Sequence, residues 1–154
     1  MSDLAFLSTG DAPTASPLAR ALAGAHGLRD LSLLGKLEVR GPVEGLAVDA
    51  ELIPVTPRRA LVVCEPERAA ALRRGLPGLV VDVTAALAGL ELEGGPELMR
   101  RLTDLDLDAL PAAGRFAGVP ALVSRSEAAY RVFFPQELGH SVVEIVRDVQ
   151  EGLA

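Results

Sequence analysis

Lys36-Leu37-Glu38-Val39-Arg40 alternates apolar and charged side chains and stops at Gly41-Pro42. A period of two puts one set of side chains on each face of an extended chain, so the segment is predicted to be a half-buried strand. Glu51–Thr56 and Ala60–Cys64 flank Pro57-Arg58-Arg59, a spacing and composition suited to two adjacent strands, paired antiparallel through a tight turn. Pro66 then opens Glu67–Arg74, with basic residues in its last turn and Gly75 after it, which predicts a short helix. Leu79–Asp82 and Leu90–Glu93 are strand-like, and Gly95-Pro96 starts a helix whose apolar positions are Leu98, Met99 and Leu102. Strands are expected again near Phe116–Ser124 and over Tyr130–Phe134. Pro135 ends the latter before a helix from Gln136 to about Glu151. The stripe of that helix is Leu138, Val142, Ile145 and Val149, with Val143 and Val146 widening it to the face of a globular packing helix. Upstream, Ser8–Ser16 reads as a polar, turn-rich lead-in, and Ser16-Pro17 supplies an N-cap and first-turn proline for a short helix over about Pro17–Ala25.

Two of these passages can be laid over one another. Asp30-Leu31-Ser32 precedes Gly35-Lys36-Leu37-Glu38-Val39-Arg40-Gly41-Pro42, and Asp82-Val83-Thr84 precedes Gly89-Leu90-Glu91-Leu92-Glu93-Gly94-Gly95-Pro96. Both read Asp, apolar, hydroxyl, then Leu-Glu-apolar-charged and Gly-Pro, offset by 53 residues at the Leu-Glu pair. Two copies are too few for a solenoid, so they are expected to share one core as a two-layer α+β sheet-and-helix domain with an internal pseudo-repeat. The expected organisation is one domain over residues 1–154, with residues 1–16 as lead-in and halves of about 28–78 and 79–151.

Composition removes several classes of function. With 154 residues, 49% of them apolar and 23% charged, the chain is long enough and apolar enough to bury a core. Its net charge of -6 repels phosphate backbones, and with 3% aromatic residues and no Trp it lacks a platform for stacking bases, so nucleic acid is not an expected partner. Met1–Leu7 carries Asp3 where an export signal would carry positive charge, and no apolar run reaches the length of a membrane span. The lone Cys64 has no partner for an intramolecular disulfide, which makes a reducing, cytoplasmic location the default expectation.

Candidate chemistry is sparse. Asp104, Asp106 and Asp108 alternate like the start of a calcium loop, but Ala109 stands where that loop needs Gly and Arg115 where it needs a carboxylate. The three acids therefore read as solvated, with Leu105 and Leu107 packing inward. His26 and His140 are the only imidazoles, and His140 lies about 200° from Leu138 at 100° per residue, on the solvent side of its helix. Cys64 ends an apolar strand, where burial raises a thiol's pKa, which argues against a Cys–His nucleophile. Neither a Gly-x-Ser-x-Gly elbow nor a phosphate loop is present, and no catalytic or metal-binding set stands out.

Gly27–Pro42, reading Gly-Leu-Arg-Asp-Leu-Ser-Leu-Leu-Gly-Lys-Leu-Glu-Val-Arg-Gly-Pro, resembles the opening signature of the aminomethyltransferase family, the glycine-cleavage T-protein and its relatives. Val81–Thr84, Leu90–Glu93, Gly95-Pro96, Leu102–Leu107, Phe116–Val123 and Tyr130–Pro135 resemble the related gamma subunit of heterotetrameric sarcosine oxidase, over roughly residues 17–150 in all. The resemblance implies an aminomethyltransferase folate-binding-type domain with ferredoxin-like elements. It further implies an accessory, non-catalytic subunit beside larger alpha and beta oxidase subunits. Flavin would sit on those partners and not on this chain, and the complex would oxidatively demethylate sarcosine. Its alternative is a stand-alone tetrahydrofolate-binding protein whose pocket uses Arg125, Glu127 and Tyr130. A third reading, a small enzyme with an unrecognised site, has no residue pair to support it, and self-association of the lone chain is left open.

The transferases follow an Arg with Gly-Tyr-Thr-Gly-Glu, then an aromatic and Glu. The matching stretch here is Arg125-Ser126-Glu127-Ala128-Ala129-Tyr130-Arg131. Arg125 and Tyr130 match, the glycine turn is shortened, and Arg131 replaces the carboxylate expected to accept hydrogen bonds from the pterin N–H groups. An arginine side chain is only a donor, so this position departs from folate binding.

Overall fold

Along residues 15–154, which the computed structural model describes, nine strands and three α-helices follow one another. The strands are β1 (Leu28–Asp30), β2 (Gly35–Arg40), β3 (Glu51–Thr56), β4 (Arg59–Cys64), β5 (Leu79–Asp82), β6 (Leu87–Glu93), β7 (Ala112–Phe116), β8 (Val119–Arg125) and β9 (Ala129–Pro135). The helices are α1 (Ala69–Gly75), α2 (Pro96–Leu102) and α3 (Gly139–Leu153). All strand pairs are antiparallel, in one sheet ordered β1-β6-β9-β8-β7 and another ordered β3-β4-β2-β5. The lead-in expected before Ala15, and the reading of Met1–Leu7, lie outside the described residues.

The passages that read alike in sequence take equivalent places and exchange their first strands. β1 precedes β2 but pairs with β6, and β5 precedes β6 but pairs with β2. The crossing is fastened reciprocally. Asp30 accepts the Ser32 N–H and Asp82 the Thr84 N–H, each at 2.9 Å, turns that short Asp side chains favour. The Ser32 hydroxyl then accepts the N–H of Gly89 at 3.2 Å, and the Thr84 hydroxyl accepts that of Lys36 at 3.0 Å. Leu31 donates to the Gly89 carbonyl at 2.8 Å and Val83 to the Lys36 carbonyl at 2.9 Å. The twice-written Asp-apolar-hydroxyl motif is thus a turn whose hydroxyl serves the other copy.

Strand alternation sorts the core into three clusters. Leu37, Val39, Ala60 and Val62 face Leu72 and Leu76 at α1. Leu90, Leu92, Val132 and Phe134 face Leu98, Met99 and Leu102 of α2 and Val142, Val143 and Val146 of α3. The opposite faces of the two sheets meet through Ile53, Leu61 and Val63 from one sheet, Phe133 from the other, and Leu31. The sheet-and-helix layering read from the sequence therefore occurs in each half, and the halves stack through their bare sheet faces.

Lys36 and Gly89 hold equivalent positions in the repeat and differ most in bulk. A Cβ on Gly89 would lie 2.9 Å from the Phe133 ring and 3.0 Å from Leu31. Gly89→Ala should therefore cost about 2 kcal/mol of stability by overpacking, read from the midpoint of urea unfolding. An unchanged midpoint would contradict this packing.

Three sequence expectations change. Residues 17–24 form consecutive turns and not the regular helix expected over about Pro17–Ala25. Ser16 Oγ accepts the Leu18 N–H at 3.0 Å as the cap reading requires, but only the Leu22 N–H to Leu18 carbonyl bond has helical spacing. So short a segment gains too few bonds to offset nucleation. Ile145 is exposed, and the buried face of α3 is Val142, Val143 and Val146. Leu138, in a tighter 3₁₀ turn over Gln136–Leu138, and Val149 pack against the core as the stripe requires. The segment near Phe116–Ser124 is a hairpin, with β7 and β8 joined at Ala117-Gly118, both at positive φ as a two-residue hairpin turn demands.

Candidate functional site

Arg125 ends β8 and Tyr130 lies directly opposite it on β9, with the hairpin closed by Ser126 donating its N–H to the Ala129 carbonyl at 2.9 Å. The Arg125 guanidinium sits 5.5 Å from the centroid of the Tyr130 ring, a cation–π contact. The two residues, with Arg100, Leu105, Asp106 and Asp108, border a cleft of about 240 Å³. The Tyr130 side of it is closed, because the residue is only 4% exposed and belongs to the core. Glu127 is exposed on the hairpin turn and does not line the cleft. Of the three candidate residues the structure brings together two.

Arg131, next to Tyr130, points to the opposite face of the sheet, as successive strand residues must. There it ties the two sheets together. Its Nε donates to Glu91 on β6 at 2.9 Å, and an Nη donates to Glu51 on β3, in the other sheet, at 3.0 Å. Glu51 also accepts the Ser124 hydroxyl from β8. Burial works against the Arg131 charge, but the hydrogen bonds to Glu91 and Glu51 raise its pKa further above the ordinary value. Arg131, where the resemblance implies a pterin-binding carboxylate, is thus a donor, turned away from Arg125 and already engaged by Glu91 and Glu51.

Arg131 stands out in the sequence as a departure, whereas its partners Glu51 and Glu91 were missed, each signalled only as an acid between two apolar neighbours. Arg131→Ala should cost about 2 kcal/mol, since it strips charged hydrogen bonds from two half-buried carboxylates. Arg29→Ala should cost under about 0.5 kcal/mol, because the Arg29 side chain is 69% exposed where it meets Glu91 at 3.5 Å. Equal losses in urea unfolding would contradict the inter-sheet role.

Lys36, the only lysine of the chain, has no exposed surface. Its ammonium donates to the carbonyls of Ser32 at 2.6 Å and Leu34 at 3.0 Å. Burial lowers its pKa from 10.5 to about 8, against the opposing pull of Asp30 and Asp82. Both hydrogen bonds go to the turn that carries Ser32, so this lysine braces the strand exchange.

The other motifs resolve into structure. Asp106 accepts the Asp108 N–H at 3.0 Å and caps a 3₁₀ turn, while Leu105 and Leu107 pack against the core. Cys64 is buried at the end of β4, and burial pushes its thiol up. His140 lies on the exposed side of α3, 3.2 Å from Glu144. Among the described residues no three His, Cys, Asp or Glu side chains gather to hold a metal ion, and no helix is long and apolar enough to cross a membrane.

No family model and no curated protein sequence matches the chain. Among solved structures it is similar to a chain of the heterotetrameric sarcosine oxidase from Corynebacterium sp. U-96 in complex with pyrrole 2-carboxylate. The TM-score is 0.74 at 21% identity, covering 90% of this chain and 95% of that one. A second similar structure is the regulatory subunit of aspartate kinase from Thermus thermophilus, with a TM-score of 0.48 at 14% identity, covering 80% of this chain and 97% of that one. The fold is shared with the sarcosine oxidase chain over almost the whole length of both.

Proposed function

We propose that the chain is an accessory, non-catalytic subunit resembling the gamma subunit of heterotetrameric sarcosine oxidase, supporting larger flavoprotein subunits in the oxidative demethylation of sarcosine. The observation that carries this reading is the end-to-end match to a chain of such an oxidase, with 90% of one chain laid on 95% of the other. The engagement of the polar side chains supports it. Glu38, Glu51 and Glu91 are each held by arginine, Lys36 by backbone carbonyls, and Arg125 lies against Tyr130. Flavin belongs to the partner subunits in this reading, and the isolated chain carries no cofactor. Leu33, Leu79 and Ile145, the large apolar side chains left exposed among the described residues, are available for contact with partners.

The Arg125–Tyr130 cleft gives the alternative its test. Calorimetric titration of the isolated chain with tetrahydrofolate should show no tight binding. Tight binding that Arg125→Ala weakens without unfolding the protein would replace the accessory reading with that of a folate-binding protein.

A further inference from the structure

A second cleft, of about 360 Å³, opens between the two sheets at the end away from Arg131. Its walls are Val55 and Leu61 from one sheet and Ala113, Leu122 and Phe133 from the other, with Ala86 at its edge. Every lining side chain is apolar except two, Glu38 and Arg59. A hollow of this size falls within the range of small-molecule sites, roughly 300–1,000 Å³, which pair apolar walls with a few placed polar groups. The polar groups here stand together. Glu38 accepts from Arg59 at 2.8 Å and from Arg40 at 2.5 Å, which leaves two guanidinium groups on one carboxylate. Arg59 spends one N–H on Glu38, so the rest of its five-donor fork remains for a second acceptor. That fork suits a carboxylate. Arg40 lies beside the lining and not in it, and only with it do the three groups carry one excess positive charge, on a chain whose net charge is -6.

We propose that this inter-sheet cleft binds a small monoanion with an apolar body, its tail against Leu61, Leu122 and Phe133 and its acid group on Arg59. The apolar walls select the hydrocarbon, and the free donors of the Arg59 fork select an acid group.

The test is calorimetry on the full chain with octanoate, and with octanol as its neutral counterpart. Ala113 and Ala86 are both exposed on the cleft lining, so Ala113→Phe and Ala86→Phe fill the space without entering a core cluster. Octanoate should bind with one-to-one saturation, and each filling variant should weaken it by about tenfold or more as apolar contact is lost. Arg59→Gln should weaken octanoate by about tenfold, the worth of a charged hydrogen bond, and leave octanol unchanged. Absence of saturable octanoate binding, or binding that survives both filling variants, would overturn the site. Equal affinity for octanol and octanoate would overturn its preference for an anion.

Discussion

Phe133→Ala is expected to lower the unfolding free energy by about 3–5 kcal/mol, the range for removing a buried aromatic side chain. Phe133 is 1% exposed and is the member of β9 that reaches across to Ile53, Leu61 and Val63 of the other sheet. Its ring also occupies the space beside Gly89 that a methyl group would claim, so the loss falls where the repeat halves meet. The cavity would join the inter-sheet cleft, because Phe133 already lines it. Urea unfolding followed by circular dichroism reads the effect. A loss below about 1 kcal/mol would show that the sheets are not held together here.

Lys36→Met should separate from the parent chain in a pH-dependent way. A lysine whose folded pKa is about 8, against an ordinary 10.5, keeps its proton longer in the unfolded chain than in the folded one. Stability rises with pH wherever the unfolded state holds more protons. The cost of burying the charge is therefore full below pH 8 and is relieved between pH 8 and 10.5. Relative to Lys36→Met, the parent should gain about 2 kcal/mol from pH 8 to pH 10. The neutral amine keeps two N–H groups, enough for the Ser32 and Leu34 carbonyls, so deprotonation does not free the turn. Parallel curves for the two proteins over this range would contradict a desolvated lysine.

Much of the fold was legible because its strands are short and announced at their ends. Gly41-Pro42, Pro57-Arg58-Arg59 and Pro135 punctuate the chain where strands stop, and the predicted strands at Glu51–Thr56 and Leu79–Asp82 form as read. The strand exchange was not legible. β1 is three residues long and too brief for a periodic signal, and nothing local says that Leu28–Asp30 pairs with Leu90–Leu92 and not with the strand that follows it. The repeat carried the clue, since Asp30 with Ser32 and Asp82 with Thr84 are the turns that make the crossing. The face of α3 was legible in Val142, Val143, Val146 and Val149, with Leu138 packed against the same core, and only Ile145, at the edge of that face, meets water. In the candidate site, Arg125 and Tyr130 meet because strand register places them opposite one another, whereas Glu127 falls on the turn, where side chains meet water. Arg131 stood out in sequence as a misplaced donor. Its partners Glu51 and Glu91 come from distant segments that only the stacked sheets bring near.

The accessory-subunit reading is tested most directly by tagging the chain in its native cells, purifying it gently, and recording flavin absorbance with the masses of co-purifying proteins. The expected result is a flavin spectrum together with larger subunits in fixed proportion to the chain. A bare, flavin-free chain would contradict the accessory-subunit reading.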